Sequence, residues 1–364
     1  MLLTLNVGAL KQRLQGLNGH PKLKLTDAPA FARQEIGVNG LVLSTDLLVG
    51  ADRPMLHKVL EAADKAGCPI LVLMELTPHP LGSEDVVTVE AATERCLRVA
   101  QAAHWLGCSA FSITIDAPDD DETLANVAAN LKPISRRAEK LDMNLCLAPY
   151  RGLTSTPERV TEVLKKIGGF RVGTLPDFSA ASVSADAVQY LRRLVPYASA
   201  VLIPVPDELP PLDAVPAKKS LALPKLEEPG GAAKPAKAEK PKAAGKKSKA
   251  KGDAPPAESA ASEAAVMVAK APSKGAAGKA GTNYDLMTYV GVLDAVGYEG
   301  PFTLDYRGNA DPVPALVRSR DILNKVLAEP VAEDSGLSAL LAAVDGADGA
   351  DELSDEDGAG ADEE

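Results

Sequence analysis

GVLDAVGYEGPFTLDYRG (residues 291–308) contains the unit from which this chain is built. Its first half has apolar residues at helical spacing, and Gly297 ends that pattern where a helix would turn out of its last carbonyls. After Gly300 the pattern becomes PFTLDY (301–306), a short apolar and aromatic run that reads as a strand. Asp305, Tyr306 and Arg307 then stand where the chain leaves the sheet.

Outward from this stretch the same alternation recurs. The expected strands are 2–6, 38–44, 69–76, 109–116, 143–149, 170–178 and 199–205, and 301–306 makes an eighth. Between them the spacing predicts helices after Asp27 (ending at Gly37), over the stretch ending at Gly67, and over 85–106, 121–140, 157–167, 185–197 and 283–297. A closing helix over 312–329 follows the last strand. PILVLMEL (69–76) is continuously apolar, as a parallel strand covered by helices must be. Eight strand–helix units without a two-residue hairpin between neighbours point to an α/β fold, a closed (β/α)8 TIM barrel.

The net charge of −11 conceals two opposed segments. Residues 209–282 hold fourteen lysines, no arginine and seven acids, whereas 331–364 hold twelve acids and no base. The first is rich in Lys, Ala and Pro and poor in branched and aromatic residues, so burial cannot offset the entropy of ordering it. The expected organisation is a barrel over 1–329, interrupted by a disordered insertion at 209–282, with an acidic disordered tail at 330–364. An insertion without arginine or interleaved aromatics does not suit specific nucleic-acid recognition, but an electrostatic contact between insertion and tail is expected to be salt-sensitive. The four cysteines show no CxxC spacing and suit buried thiols in a reducing compartment. The first residues lack a basic leader and are too short a run to span a bilayer, which points to a cytoplasmic protein without a membrane segment.

A barrel does its chemistry at the C-terminal ends of its strands. Those ends offer Glu75, Asp116, the stretch Ala148–Pro149–Tyr150–Arg151, Asp177, Pro204, Asp305 and Arg307. His79 follows the third strand closely, and His20 lies in a loop after the first that is able to fold over the mouth. His57 and His104 sit within helices and read as surface or packing residues. GAAGKAGT (275–282) lacks the spacing of a phosphate loop and follows no strand.

NLCLAPYRG (144–152), VGTLPDFSA (172–180) and GVLDAVGYEGPFTLDYRG resemble equivalent stretches of the sugar phosphate isomerase/epimerase superfamily, the xylose isomerase-like TIM barrels. The resemblance covers nearly all of 1–208 and 283–329. It implies a divalent metal held by a Glu ending strand 5, an Asp on strand 6, a His near strand 7 and a Glu ending strand 8. Two glutamates would move the proton while the metal stabilises an enediolate. This sequence departs from that pattern. The strand 5 acid corresponds to Ala148, and Tyr150 replaces a histidine two residues on. Asp177 matches, Ala180 replaces the following histidine, strand 7 offers Pro204 and Val205, and Asp305 stands for the last glutamate.

Two arrangements stay open from the residues alone. Glu75, Asp116, Asp177 and Asp305 are candidates for an all-oxygen Mg²⁺ or Mn²⁺ site. Alternatively, Arg151 and Arg307 neutralise the rim acids or meet a ligand's phosphate. The expected catalytic residues are Asp177 and Asp305, and the expected substrate contacts are Tyr150, Arg151, Arg307 and His20. Two functions follow: a barrel that acts on or binds a small sugar or sugar phosphate with weakened isomerase chemistry, or a non-catalytic binding or scaffold protein.

Overall fold

The computed structural model describes residues 2–17, 22–209, 212 and 284–328. Its eight strands are β1 (Leu3–Asn6), β2 (Leu41–Ser44), β3 (Ile70–His79), β4 (Ala110–Ile115), β5 (Asn144–Ala148), β6 (Val172–Thr174), β7 (Val201–Val205) and β8 (Phe302–Tyr306). They form one sheet in the order β6-β5-β4-β3-β2-β1-β8-β7, with every neighbouring pair parallel. The two ends of that order meet. The Leu202 N–H donates to the Pro176 carbonyl at 2.8 Å, and the Ser199 N–H donates to the Thr174 carbonyl at 3.2 Å. Single bridges at Thr174–Ala198 and Asp177–Leu202 complete the ring. The expected TIM barrel is the fold.

The helices are α1 (Lys11–Gln15), α2 (Ala28–Phe31), α3 (Arg53–Ala66), α4 (Val86–Trp105), α5 (Asp121–Lys140), α6 (Pro157–Ile167), α7 (Phe178–Val183), α8 (Ala187–Leu194), α9 (Leu286–Ala295) and α10 (Pro312–Leu327). Asp52, Asp85, Asp120, Asp186, Asp285 and Asp311 each accept from a backbone N–H at a helix start. A carboxylate there satisfies amides that have no partner within the helix and favours the positive end of its dipole.

Four departures from the sequence pattern have local causes. Asp27 makes no capping bond, because its backbone is helical (φ −93°, ψ −13°) and a 3-10 turn at Leu25–Asp27 precedes α2. β3 runs three residues beyond 76, with an irregularity against β4 between Met74 and Pro78. β6 has only three paired residues; Pro176 cannot donate to a ladder, and pairing there resumes against β7 instead. The short helix α7 begins where Asp177 Oδ1 accepts from the Ser179 N–H at 2.7 Å.

Strand register fixes which side chains point inward. Val42, Val72, Met74, Ala110, Cys146, Leu175, Ala200 and Leu202 form one buried cluster drawn from six neighbouring staves of the barrel. Asn6 pairs with Val42, and Pro204 with Asp305 two residues beyond the Leu202–Thr303 pair. Period-two alternation therefore turns Asn6, Ala148, Pro204 and Asp305 toward the mouth. Leu5, Phe111, Phe302 and Leu304 are buried on the helix side, each contributing roughly 1.5–3 kcal/mol of burial.

All four cysteines are free and buried. Burial pushes the thiols of Cys68 and Cys146 up to about 11 and that of Cys96 up to about 12. No helix among the described residues is long and apolar enough to cross a membrane. His20, nearly all of the expected insertion, the acidic tail and any contact between those two segments lie outside the described residues.

Candidate functional site

Asp177 follows β6 and Asp305 lies on β8, and Arg307 joins them. Arg307 Nη2 donates to Asp177 Oδ2 in a short ion pair, and Nε donates to Asp305 Oδ2 at 2.8 Å. The other Asp305 oxygen accepts from the Asn6 amide at 2.7 Å. The guanidinium is placed by the backbone as well, since the Arg307 N–H donates to the Val205 carbonyl at 2.9 Å. The arginine side chain is 34% exposed while both carboxylates are nearly buried. The assembly is therefore an anchored, charge-assisted network at the mouth.

Burial raises the Asp177 carboxyl, and the Asp305 charge adds to that rise against the pull of Arg307. Burial opposes the Arg307 charge, yet the carboxylates of Asp177 and Asp305 outweigh it and raise its pKa. An aromatic wall backs Asp177. Phe178 packs edge-on against Tyr284 and Tyr289, with centroids 5.5 and 5.1 Å away, and Tyr284 donates to the Pro204 carbonyl at 2.9 Å. Tyr190 is buried, and its hydroxyl has no hydrogen-bond partner among the described residues.

Glu75 is elsewhere. It follows the inward-facing Met74, so its carboxylate points outward to the helix layer. There it accepts from Arg95 Nε at 2.7 Å, Thr45 Oγ1 at 3.0 Å and the Thr77 N–H at 3.1 Å. A cleft of about 370 Å³ between α3 and α4 exposes part of Arg95 above it. His79 is also buried, beside Glu75 and Arg95, and its Nε2 has no hydrogen-bond partner among the described residues. Burial lowers its pKa, although the Glu75 charge works the other way.

Asp116 stands at the surface end of β4, where Arg151 reaches it through Nη2 at 3.3 Å and also covers the Tyr150 ring. A cleft of about 630 Å³ lies beside Asp116, walled by Glu84, Asp120, Glu122 and Asn126. His57 pairs loosely with Glu61 at 3.7 Å on an exposed helix face, and His104 is exposed.

The structure thus brings Asp177, Asp305 and Arg307 together but does not join Glu75 or Asp116 to them as one ligand set. Among the described residues, no three His, Cys, Asp or Glu side chains are placed to hold a metal ion. Sequence reasoning missed Asn6 and Arg95. Asn6 was legible in principle, because Thr4 and Asn6 on β1 repeat the polar spacing of Thr303 and Asp305 on β8. The Thr4 and Thr303 hydroxyls indeed lie 2.8 Å apart. Arg95 carried no signal, being one arginine among many on a helix surface.

Residues 32–209 match the family model of the xylose isomerase-like TIM barrels. Over that stretch the chain is similar to the xylose isomerase-like TIM barrels. No curated protein matches its sequence significantly. An L-ribulose 3-epimerase shares the fold at a TM-score of 0.58 and 11% identity, covering 89% of this chain and 93% of its own. A D-psicose 3-epimerase, with its structure determined in the presence of D-fructose, gives 0.54 and 10%, covering 87% and 89%. A 3-keto-D-glucoside 4-epimerase from E. coli, in its apo form, gives 0.54 and 13%, covering 83% and 95%.

The mouth of the barrel does not fit the divalent metal that the family resemblance implies. A guanidinium already spans the two matching carboxylates, and the strand 5 and strand 7 positions offer a methyl group and a proline ring. Arg307 has donors fixed at the site, but Ala148 has no atom that accepts a proton.

Proposed function

We propose that the barrel mouth binds a small sugar or sugar phosphate, and that metal-dependent isomerisation has been weakened or lost. The single observation that carries this reading is the Asp177–Arg307–Asp305 assembly, with Ala148 at the end of β5, the strand next to the one Asp177 follows. Moving a proton between adjacent carbons needs a base beside the carbon and an electrophile on the neighbouring oxygen. The chain keeps polar groups able to orient hydroxyls, namely the guanidinium and the carboxamide of Asn6, and gives up the base on β5. Asp305, engaged by Arg307 and Asn6, is the remaining candidate proton carrier, and Asp177 holds the guanidinium in place.

The fold shared with three sugar epimerases supports a carbohydrate as the ligand class. Tyr150 and Arg151 border the mouth on the β5 side, where Arg151 is free to leave Asp116 for a phosphate. Titration calorimetry with ketoses, aldoses and their phosphates tests the reading. Saturable binding of at least one compound, weakened tenfold or more by Arg307→Ala and without turnover, is the expected result. Turnover that requires added Mg²⁺ or Mn²⁺ would count against the loss of chemistry, and no binding across the panel would remove the sugar.

A second reading, a non-catalytic scaffold, is favoured by one feature of the sequence: the opposed charges of the lysine-rich insertion and the acidic tail. Under it the barrel is a rigid platform, and partners meet the charged segments rather than the mouth.

A further inference from the structure

The geometry points to Arg307 as the resident cation of the barrel mouth. We infer that its guanidinium takes the place of a divalent ion, and that the wild-type chain excludes such an ion for that reason. This inference concerns the mouth's own charges and stands whether or not a sugar binds there.

Three observations carry it. Asp177 and Asp305 come from separate strand ends, and their side chains meet only through Arg307, which donates Nη2 to one and Nε to the other. The Arg307 position is held independently, by the bond from its own N–H to Val205. Among the described residues no third acid joins the pair as a ligand set: Asp116 is engaged by Arg151, β5 presents Ala148, β7 presents Pro204, and β1 presents Asn6, whose amide donates rather than ligates in this arrangement.

Charge explains why the two features belong together. A divalent ion needs several oxygen donors around it, and two carboxylates with no third leave most of its shell to water. One guanidinium matches two carboxylates in geometry, with donors fixed in a planar fork. It also remains protonated at any pH the fold tolerates, so it is not displaced by titration. A second cation entering within a few ångströms would meet that charge in a partly buried site, where repulsion is weakly screened. Replacing an acid with Ala148 and placing an arginine at 307 therefore act in the same direction: fewer anionic donors and one covalently attached cation.

The test reverses both features on the full chain. Mn²⁺ binding is followed by loss of the free-ion electron spin resonance signal for wild type, Arg307→Met, Ala148→Glu and Ala148→Glu/Arg307→Met. The wild type is expected to take up no stoichiometric Mn²⁺ at the mouth. The double variant is expected to bind one ion at least tenfold more tightly than Ala148→Glu alone. Affinity that does not depend on Arg307 overturns the proposal, whether both of those variants bind or neither does.

Should the double variant fail to fold by circular dichroism, the wild type supplies a second readout. The side-chain Nε–H resonance of Arg307, held by Asp305, is expected to keep its intensity when equimolar Mn²⁺ is added. Paramagnetic loss of that resonance would place the ion beside the guanidinium and overturn the proposal. A failed sugar titration with Arg307-dependent Mn²⁺ binding would remove the proposed ligand and leave this inference standing.

Discussion

Two arginine–carboxylate assemblies sit near the same end of the barrel and face opposite ways. Asp177, Arg307 and Asp305 look into the mouth, while Glu75 and Arg95 look out beneath the helices. Their chemistry is alike, but their surroundings differ. The Glu75 side chain is 1% exposed and accepts three hydrogen bonds, so it is a buried charge whose partners are structural. Both arginines are partly open to solvent, Arg95 at 45% on the helix side and Arg307 at 34% at the strand ends, so the face on which each opens is what differs. A single step along a strand separates the two fates, because neighbouring strand residues point to opposite faces.

The sharpest way to break this comparison is to remove one partner from the outward pair. Arg95→Ala leaves the Glu75 carboxylate buried without its counter-charge and is expected to cost about 3 kcal/mol of stability. Urea unfolding measures it, and a loss below about 1 kcal/mol would mean that Thr45 and Thr77 suffice. Ligand binding at the mouth is expected to be unchanged in the folded fraction.

The inward assembly should respond less in stability and more in binding. Asp305→Asn removes the negative charge and leaves one acceptor oxygen where Arg307 and Asn6 each used one. A loss of roughly 2 kcal/mol is expected, typical of hydrogen bonds to charged groups. Any sugar binding found for the wild type should fall with it. A variant of wild-type stability that binds normally would detach Asp305 from the site.

His79 sharpens the contrast by pH. Its folded pKa lies below the ordinary histidine value because burial disfavours the charged ring. The unfolded chain therefore takes up a proton first as pH falls through about 6.5, and stability drops from there down to the folded pKa. The slope, at most about 1.4 kcal/mol per pH unit for one proton, vanishes in His79→Phe. Denaturation series between pH 8 and 5 check it; parallel curves for wild type and variant would show that other groups govern acid stability.

The smallest effect belongs to Arg151. Its pair with Asp116 is 3.3 Å long, and its side chain is 74% exposed. Arg151→Ala is expected to leave stability nearly unchanged. If it instead weakens binding of sugar phosphates but not of free sugars, Arg151 is a phosphate contact rather than a rim ion pair.

Much of the ring was legible because its strands and helices repeat a strong pattern. The helices at 121–140 and 157–167 have the bounds that spacing and caps suggested. β6 was harder, because LPDF reads as more strand although Pro176 ends the ladder and Asp177 starts a helix. The site was legible in part. Asp177, Asp305 and Arg307 stood out as charged residues at strand ends, and the missing acid at Ala148 was visible directly. Nothing in the sequence told whether Glu75 shared their space, since an irregularity in β3 and the position of Arg95 on α4 decide that.

By itself the sequence determined the alternation of eight strands and helices, the parallel sheet, and which residue types end each strand. These depend on local periodicity and on backbone preferences that act within a few residues. Only the tertiary structure decided which charges meet. Asp177 and Arg307 are 130 residues apart in the chain, and ion pairing depends on a few ångströms in space. Closing the ring between β6 and β7 brings their strand ends together, and no local pattern encodes that distance.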